Sequence, residues 1–305
     1  MMQARNLGAL LVLGAVWGAS FLFIKIGVQE LAPAMLVSLR VGIAALILIT
    51  IVYMRGMRLP ASWRMWGHFG FTGFMGLVVP YVLITWGEQS IPSGMAAILN
   101  ATTPLFTVLL AYVWTHEEYL TGLRLLGLAL GFVGVVVAVG LRDLSLANAS
   151  TRGQLAVLIA AAAYGVNGVY SRRAFRGMPP LLPAAGQMIT ATLIIAPFAL
   201  AWYGIPSPSG RVWAAVLALA IFGTALAYIL LYWLIARLGA TRTSMVTYLL
   251  PPFALAYGAL FLHESIALNA VLGLALVVLG ILLANGVLRM PGARLATPHS
   301  VESKR

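Results

Sequence analysis

The chain has 305 residues, of which 62% are hydrophobic and 9% charged, against roughly 25% charged in an ordinary soluble domain. So few charges cannot cover a water-facing surface, which excludes a soluble enzyme and leaves a membrane protein. The net charge of +12 is scattered singly between apolar runs with no stripe for a phosphate backbone, so no nucleic-acid partner is expected, and the absence of cysteine excludes thiolate metal sites and disulfides.

A bilayer-spanning helix needs about 20 mostly apolar residues, and ten segments qualify in chain order. Span 1 (7–27) places Trp17, Ser20 and Phe21 on one face at spacings of three and four and carries Lys25 near its far end. Arg5 before an apolar run resembles a secretory signal, but the length of the run and the nine spans behind it predict a retained helix. Span 2 (33–54) holds Arg40 about two turns in, roughly 10 Å deep at 1.5 Å per residue, where it could receive a substrate carboxylate but snorkelling to the nearer headgroups is expected. Span 3 (66–86) carries Pro80 and Tyr81 and ends at Trp86, just before Glu88. Span 4 (92–114) carries Asn100, Thr103 and Pro104, and span 5 (122–141) carries Gly127, Gly131 and Gly134, which permit close helix contact. Span 6 (153–173) matches span 1 with Tyr164 and Asn167 on one face. Span 7 (181–203) has Gln187 where span 2 has Arg40, and span 8 (211–233) carries Tyr228. Span 9 (243–262) carries Thr247, Tyr248 and Pro251, and span 10 (267–288) carries Gly273 and Gly280. Trp86, Trp114, Trp202 and Trp233 fall at span ends and read as interface anchors. The tail, 289–305, is polar and expected to be disordered.

With alternate loops on opposite sides, Arg5, Arg55, Arg58, Arg64, Arg124, Arg172, Arg173, Arg176, Arg237, Arg242, Arg289, Arg294, Lys304 and Arg305 lie on the N-terminal side. Only Lys25, Arg142, Arg152 and Arg211 lie on the other. The asymmetry predicts both termini in the cytoplasm.

The chain repeats at an offset of 147 residues. Gly18 matches Gly165, Pro33 matches Pro180, Gly76 matches Gly223, and Tyr81 matches Tyr228. Trp86 falls on Trp233, Pro104 on Pro251, Phe106 on Phe253 and His116-Glu117 on His263-Glu264. Trp17 stands opposite Tyr164, Lys25 opposite Arg172 and Asn100 opposite Thr247. This divides the chain into a first repeat (1–141), a connecting loop (142–152), a second repeat (153–288) and the tail. Five spans per repeat is odd, so the second enters from the opposite side. The expected fold is therefore all-α integral membrane, ten transmembrane helices as two inverted five-helix repeats. That symmetry is a transporter device, in which two halves rock about a central site.

The stretch from Trp86-Gly-Glu88 through Ser93-Gly-Met-Ala-Ala-Ile-Leu-Asn-Ala-Thr-Thr-Pro104-Leu-Phe to Glu117, with Gly127, Gly131 and Gly134 beyond it, resembles the EamA repeat of the drug/metabolite transporter superfamily. A second copy runs from Gly239-Ala-Thr through Pro251 and Glu264 to Gly273 and Gly280. The resemblance implies a ten-helix bacterial-type inner (plasma) membrane carrier, commonly an exporter of amino acids or other small metabolites.

Pro104 and Pro251 withhold an N–H from the carbonyls of Asn100 and Thr247 near mid-membrane and are candidate gating hinges, with a packed kink as the competing reading. Trp17, Ser20, Tyr81, Asn100, Thr103, Tyr164, Asn167, Tyr228, Thr247 and Tyr248 are the candidate substrate-binding residues. Facing the bundle interior, they would make an aromatic, weakly polar cavity for a flat or hydrophobic solute. No acid lies near the middle of any span, and span 1 has none, whereas the small multidrug-resistance relatives use a Glu there. Cation-for-proton exchange by that route is not expected. Facilitated export, or coupling through shallow groups such as Glu88 or His68, stays open. Glu117 and Glu264 are expected to favour the N-termini of spans 5 and 10.

These features predict a monomeric exporter of aromatic or other neutral amino acids by alternating access, needing no cofactor and no metal. Drugs, nucleosides or other amphipathic metabolites are the alternative cargo, and a lipid flippase shares the architecture. An intramembrane enzyme would need paired acids or a His set, which His68, His116, His263 and His299 do not supply.

Overall fold

The computed structural model describes residues 4–115, 121–140, 145–238 and 243–287, which are helical with no strand among them. Nine helices among the described residues are long and apolar enough to cross a membrane. They are Arg5–Gly27, Pro33–Met54, Trp63–Gly87, Ser93–Trp114, Gly122–Val139, Ala149–Ala174, Leu181–Tyr203, Gly210–Leu238 and Met245–Leu262, and are referred to as spans 1 to 9. Span 10 is the apolar helix Leu268–Ala284 of 17 residues, about 25 Å long. His116-Glu117 and the tail 289–305 lie outside the described residues.

The helices start and stop where backbone chemistry dictates rather than where hydropathy ends. Asn148 accepts a hydrogen bond from the Ser150 N–H at 3.1 Å and starts span 6 several residues before its apolar run. Ser209 and Thr121 cap spans 8 and 5 in the same manner. Span 10 stops earlier than its apolar run because Gly286 adopts a φ of +67°, which a helix cannot continue.

The sequence repeat is a repeat of irregularities and contacts. Span 3 widens into a π-helical turn at Phe74–Val78, and span 8 does so at Ile221–Leu226, 147 residues later. Pro80 deprives span 3 of a ladder hydrogen bond, but Ala227 stands at the matching place in span 8. There the Thr224 hydroxyl donates to the Leu219 carbonyl at 2.9 Å, inserting a side chain into the ladder. Span 4 breaks between Ser93–Asn100 and Thr103–Thr115, and span 9 begins with a 3₁₀ turn, Ser244–Tyr248, ahead of Leu250–Leu262.

Span 1 packs on span 9 and span 6 on span 4. A Cβ on Gly18 would lie 2.6 Å from that of Phe253, and one on Gly165 would lie 3.1 Å from that of Phe106. Both pairs are related by the 147-residue offset. Spans 5 and 10 approach backbone to backbone: a Cβ on Gly134 would meet the Val277 nitrogen at 2.6 Å, and one on Gly280 the Gly131 nitrogen at 2.4 Å. Hydrocarbon solvates Leu as well as a neighbouring helix does, so close van der Waals contact between small residues drives this pairing.

Candidate functional site

Arg40 does not reach for the headgroups. It is 5% exposed, its Nε donates to the Thr224 hydroxyl at 2.9 Å, and its guanidinium carbon lies 3.9 Å from the centre of the Tyr81 ring. The expected snorkelling is thereby corrected: the π-helical turn of span 8 offers a hydroxyl acceptor inside the bundle, and span 3 offers an aromatic face. A desolvated cation–π contact of this kind is worth about 2 kcal/mol. The Tyr81 ring in turn meets Tyr164 of span 6 edge-on, with centroids 6.5 Å apart. Spans 2, 3, 6 and 8 thus bring one cation, two phenols and a hydroxyl together. Among the described residues the guanidinium makes a single hydrogen bond, so its Nη groups keep donors in reserve.

The other candidates divide by surroundings. Ser20 and Asn167, equivalent by the repeat, each abut the glycine of a π-helical turn: Gly223 opposes Ser20 and Gly76 opposes Asn167. Ser20 also donates to the Val16 carbonyl, and Asn167 accepts from Ser171. Their contacts buttress the two bulges. The Asn100 carbonyl, bared by Pro104, accepts the Thr103 hydroxyl at 2.8 Å, so the kink satisfies itself locally. The Asn100 Oδ1 is buried without a partner. Trp17, Tyr228 and Tyr248 are partly buried against the core, and Asn285 donates to the Tyr248 hydroxyl at 3.4 Å. Thr247 lies in the 3₁₀ turn of span 9, with Pro251 buried just beyond it.

The two faces of the bundle differ. On the N-terminal face, a cleft of about 440 Å³ is lined by His68, Trp114, Val169, Tyr170, Arg173 and Ala174. His68 Nδ1 and the Tyr170 hydroxyl share a hydrogen bond of 2.7 Å there. The opposite face is tied by the Ser90 hydroxyl donating to the Ala149 carbonyl, by the Asn269 amide donating to the Ala138 carbonyl, and by three clasps built on charged side chains. Glu30, in the turn after span 1, accepts from the Ser209 N–H at 2.6 Å and its hydroxyl at 2.7 Å. Both bonds hold its carboxyl below the usual carboxylate range, the hydroxyl first. Lys25 donates to the carbonyls of Glu88 and Ile91, the latter at 2.8 Å. Glu264 accepts from the Ser93 N–H at 2.9 Å, the Ser93 hydroxyl at 2.8 Å and the Gly94 N–H at 3.4 Å. Glu264 therefore caps span 4, not the span 10 expected from its place in the chain; the left-handed turn at His263 (φ 55°) swings it back.

Beside these clasps sits a group that the sequence offered only as a shallow coupling candidate. Glu88, one residue beyond span 3, is fully buried, and neither carboxyl oxygen has a hydrogen-bond partner. Burial pushes this carboxyl well above the usual range; Lys25 and Arg40 oppose the shift and Glu264 adds to it. Depth along a helix did not reveal it, because the turns packed over it come from elsewhere in the chain. Among the described residues no group of three or more His, Asp or Glu is arranged to hold a metal.

The model of the EamA-like transporter family matches the chain twice, over residues 6–140 and 151–286. The chain is 25% identical to the uncharacterized transporter YoaV of Bacillus subtilis (strain 168), over 87% of this chain and 91% of that protein. It is 28% identical to the uncharacterized inner membrane transporter YedA of Escherichia coli (strain K12), over 90% and 89%. A probable terminal-alkyne amino-acid exporter of Streptantibioticus cattleyicolor is 27% identical over 93% and 95%. A crystal structure with 22% sequence identity superposes with a TM-score of 0.67, covering 94% of this chain and 98% of that one, and shares the fold. Two family matches, five spans to each, coincide with two copies of the same bulges, breaks and glycine contacts: the chain belongs to the EamA-like transporter family and is a multi-pass membrane transporter.

Proposed function

We propose that the protein exports aromatic or other neutral amino acids across a bacterial-type inner membrane by alternating access, as a monomer with both termini in the cytoplasm. The observation that carries this reading is the cluster of Arg40, Tyr81, Tyr164 and Thr224. A zwitterionic amino acid presents a carboxylate to the reserve donors of Arg40 and an apolar side chain to the tyrosines. Trp17, Ser20, Asn100, Thr103, Asn167, Tyr228, Thr247 and Tyr248 form the surround, and the segments at Pro104 and Pro251 bend. The cleft on the N-terminal face and the clasps on the other support a state open toward the N-terminal side, which this reading takes as the cytoplasm. The amino-acid exporter among the relatives favours the same class of cargo.

Transport by Tyr81→Ala, Asn100→Ala and Tyr228→Ala variants, each expressed at wild-type level, tests the site. The reading expects clear loss in each. Wild-type rates in all three would place the solute elsewhere. A reporter fused to the C-terminus should be active only in the cytoplasm; activity outside would overturn the orientation.

A further inference from the structure

We infer that Glu88 is the protonation site of the gate on the face opposite the N-terminus: the gate closes over a protonated Glu88 and opens as that proton leaves. The inference rests on the alternating-access reading above. Glu88 is 0% exposed and both carboxyl oxygens lack partners, as does the hydroxyl of Thr85 one turn earlier, which is equally buried. Three unpaired buried oxygens at the end of one helix are costly. An ionised carboxylate among them costs far more than a neutral acid.

Among the described residues, the charged groups facing Glu88 are Lys25, Arg40 and Glu264. Lys25 of span 1 spends its ammonium on the Glu88 and Ile91 carbonyls rather than on the carboxylate. Arg40 of span 2 is engaged with Thr224 and Tyr81. Glu264, from the turn after span 9, is acidic itself and bonded to Ser93 and Gly94. Span 6 meets this turn through Gly153 and Val157, and its Arg152 is exposed. Among the described residues no cation pairs with the carboxyl, so the closed gate holds it as the acid. Separating the clasps admits water; the O–H bond then breaks, the proton passes to water on that face, and the carboxylate is left hydrated. Reclosing takes a proton back from the same side. Alkaline medium on that face therefore favours the open gate, by up to about tenfold per pH unit for one linked proton.

The chain has no cysteine, so a single introduced thiol reports gate opening without a known solute. Ile91→Cys and, as a second reporter, Ala96→Cys replace residues buried in this state. Each is labelled in right-side-out vesicles with a membrane-impermeant maleimide from pH 5 to 9. Labelling is normalised to an exposed Gln89→Cys thiol to remove the pH dependence of thiol reactivity. We expect normalised labelling to rise with pH. Glu88→Gln, a neutral isostere, should hold it low at all pH values, and Glu88→Asp should restore the rise. An unchanged pH profile in Glu88→Gln would overturn the inference alone. No labelling of either reporter at any pH would overturn alternating access, and the inference with it.

Discussion

Arg40 lies with its guanidinium carbon 3.9 Å above the Tyr81 ring, a contact between spans 2 and 3 that sets a fixed positive charge inside an apolar bundle. It makes the solute's carboxylate testable apart from its side chain. Arg40→Gln should weaken competition by a free amino acid in a transport assay by about tenfold or more, as loss of a charge-assisted hydrogen bond implies. The corresponding methyl ester, which has no carboxylate, should be affected little. Equal losses for acid and ester would assign Arg40 to architecture.

Tyr81 offers Arg40 its ring, whereas the described hydrogen bonds include none from its hydroxyl. Tyr81→Phe should therefore keep most of the transport rate and Tyr81→Ala should lose it. A Phe variant as inactive as the Ala variant would show that the hydroxyl acts on the solute.

The bulge glycines predict a graded effect on stability. A methyl on Gly76 would sit 2.4 Å from Asn167 Nδ2, and one on Gly223 would sit 2.7 Å from Ser20 Oγ. Gly76→Ala should destabilise the detergent-solubilised protein by about 1–3 kcal/mol, read as a lowered Tm, and Asn167→Ala in the same chain should restore part of it. Gly134→Val should be worse, since its neighbour is the Val277 backbone, which cannot rotate away.

These contacts mark how far the sequence could be read. The 147-residue offset joins Gly18 to Gly165 and Phe253 to Phe106, and the structure packs those four as two equivalent pairs. Periodicity and repeat are local or self-similar signals, so spans, repeats and glycine seams were legible. Arg40 was not, because its partner Thr224 lies 184 residues away on a bulge that span 8 forms without a proline. Glu264 was half legible: a carboxylate near a helix N-terminus was expected, but which helix depended on the turn at His263. Glu88 was legible as a shallow coupling candidate, but its full burial was not, because clasps from spans 1 and 9 have no signature in its own neighbourhood.

Glu30 supplies a pH signature on the clasped face. Its carboxyl is held below the usual range by Ser209, so the clasp contributes fully above that range and is lost as pH falls through the lowered value. Glu30→Gln should lower the neutral-pH Tm slightly and flatten its acid-side decline below about pH 4.5, so that variant and wild type converge in acid. An acid limb identical to wild type would mean that the clasp does not report on folding.

Counterflow in proteoliposomes bears most directly on the central claim. Vesicles loaded with one unlabelled solute and diluted into a labelled trace need no driving gradient, and a panel of amino acids, nucleosides and amphipathic drugs can be read against protein-free vesicles. The account predicts transient accumulation of labelled aromatic or large neutral amino acids, abolished by Tyr81→Ala. Exchange of no zwitterionic amino acid, with robust exchange of any other class, would contradict it.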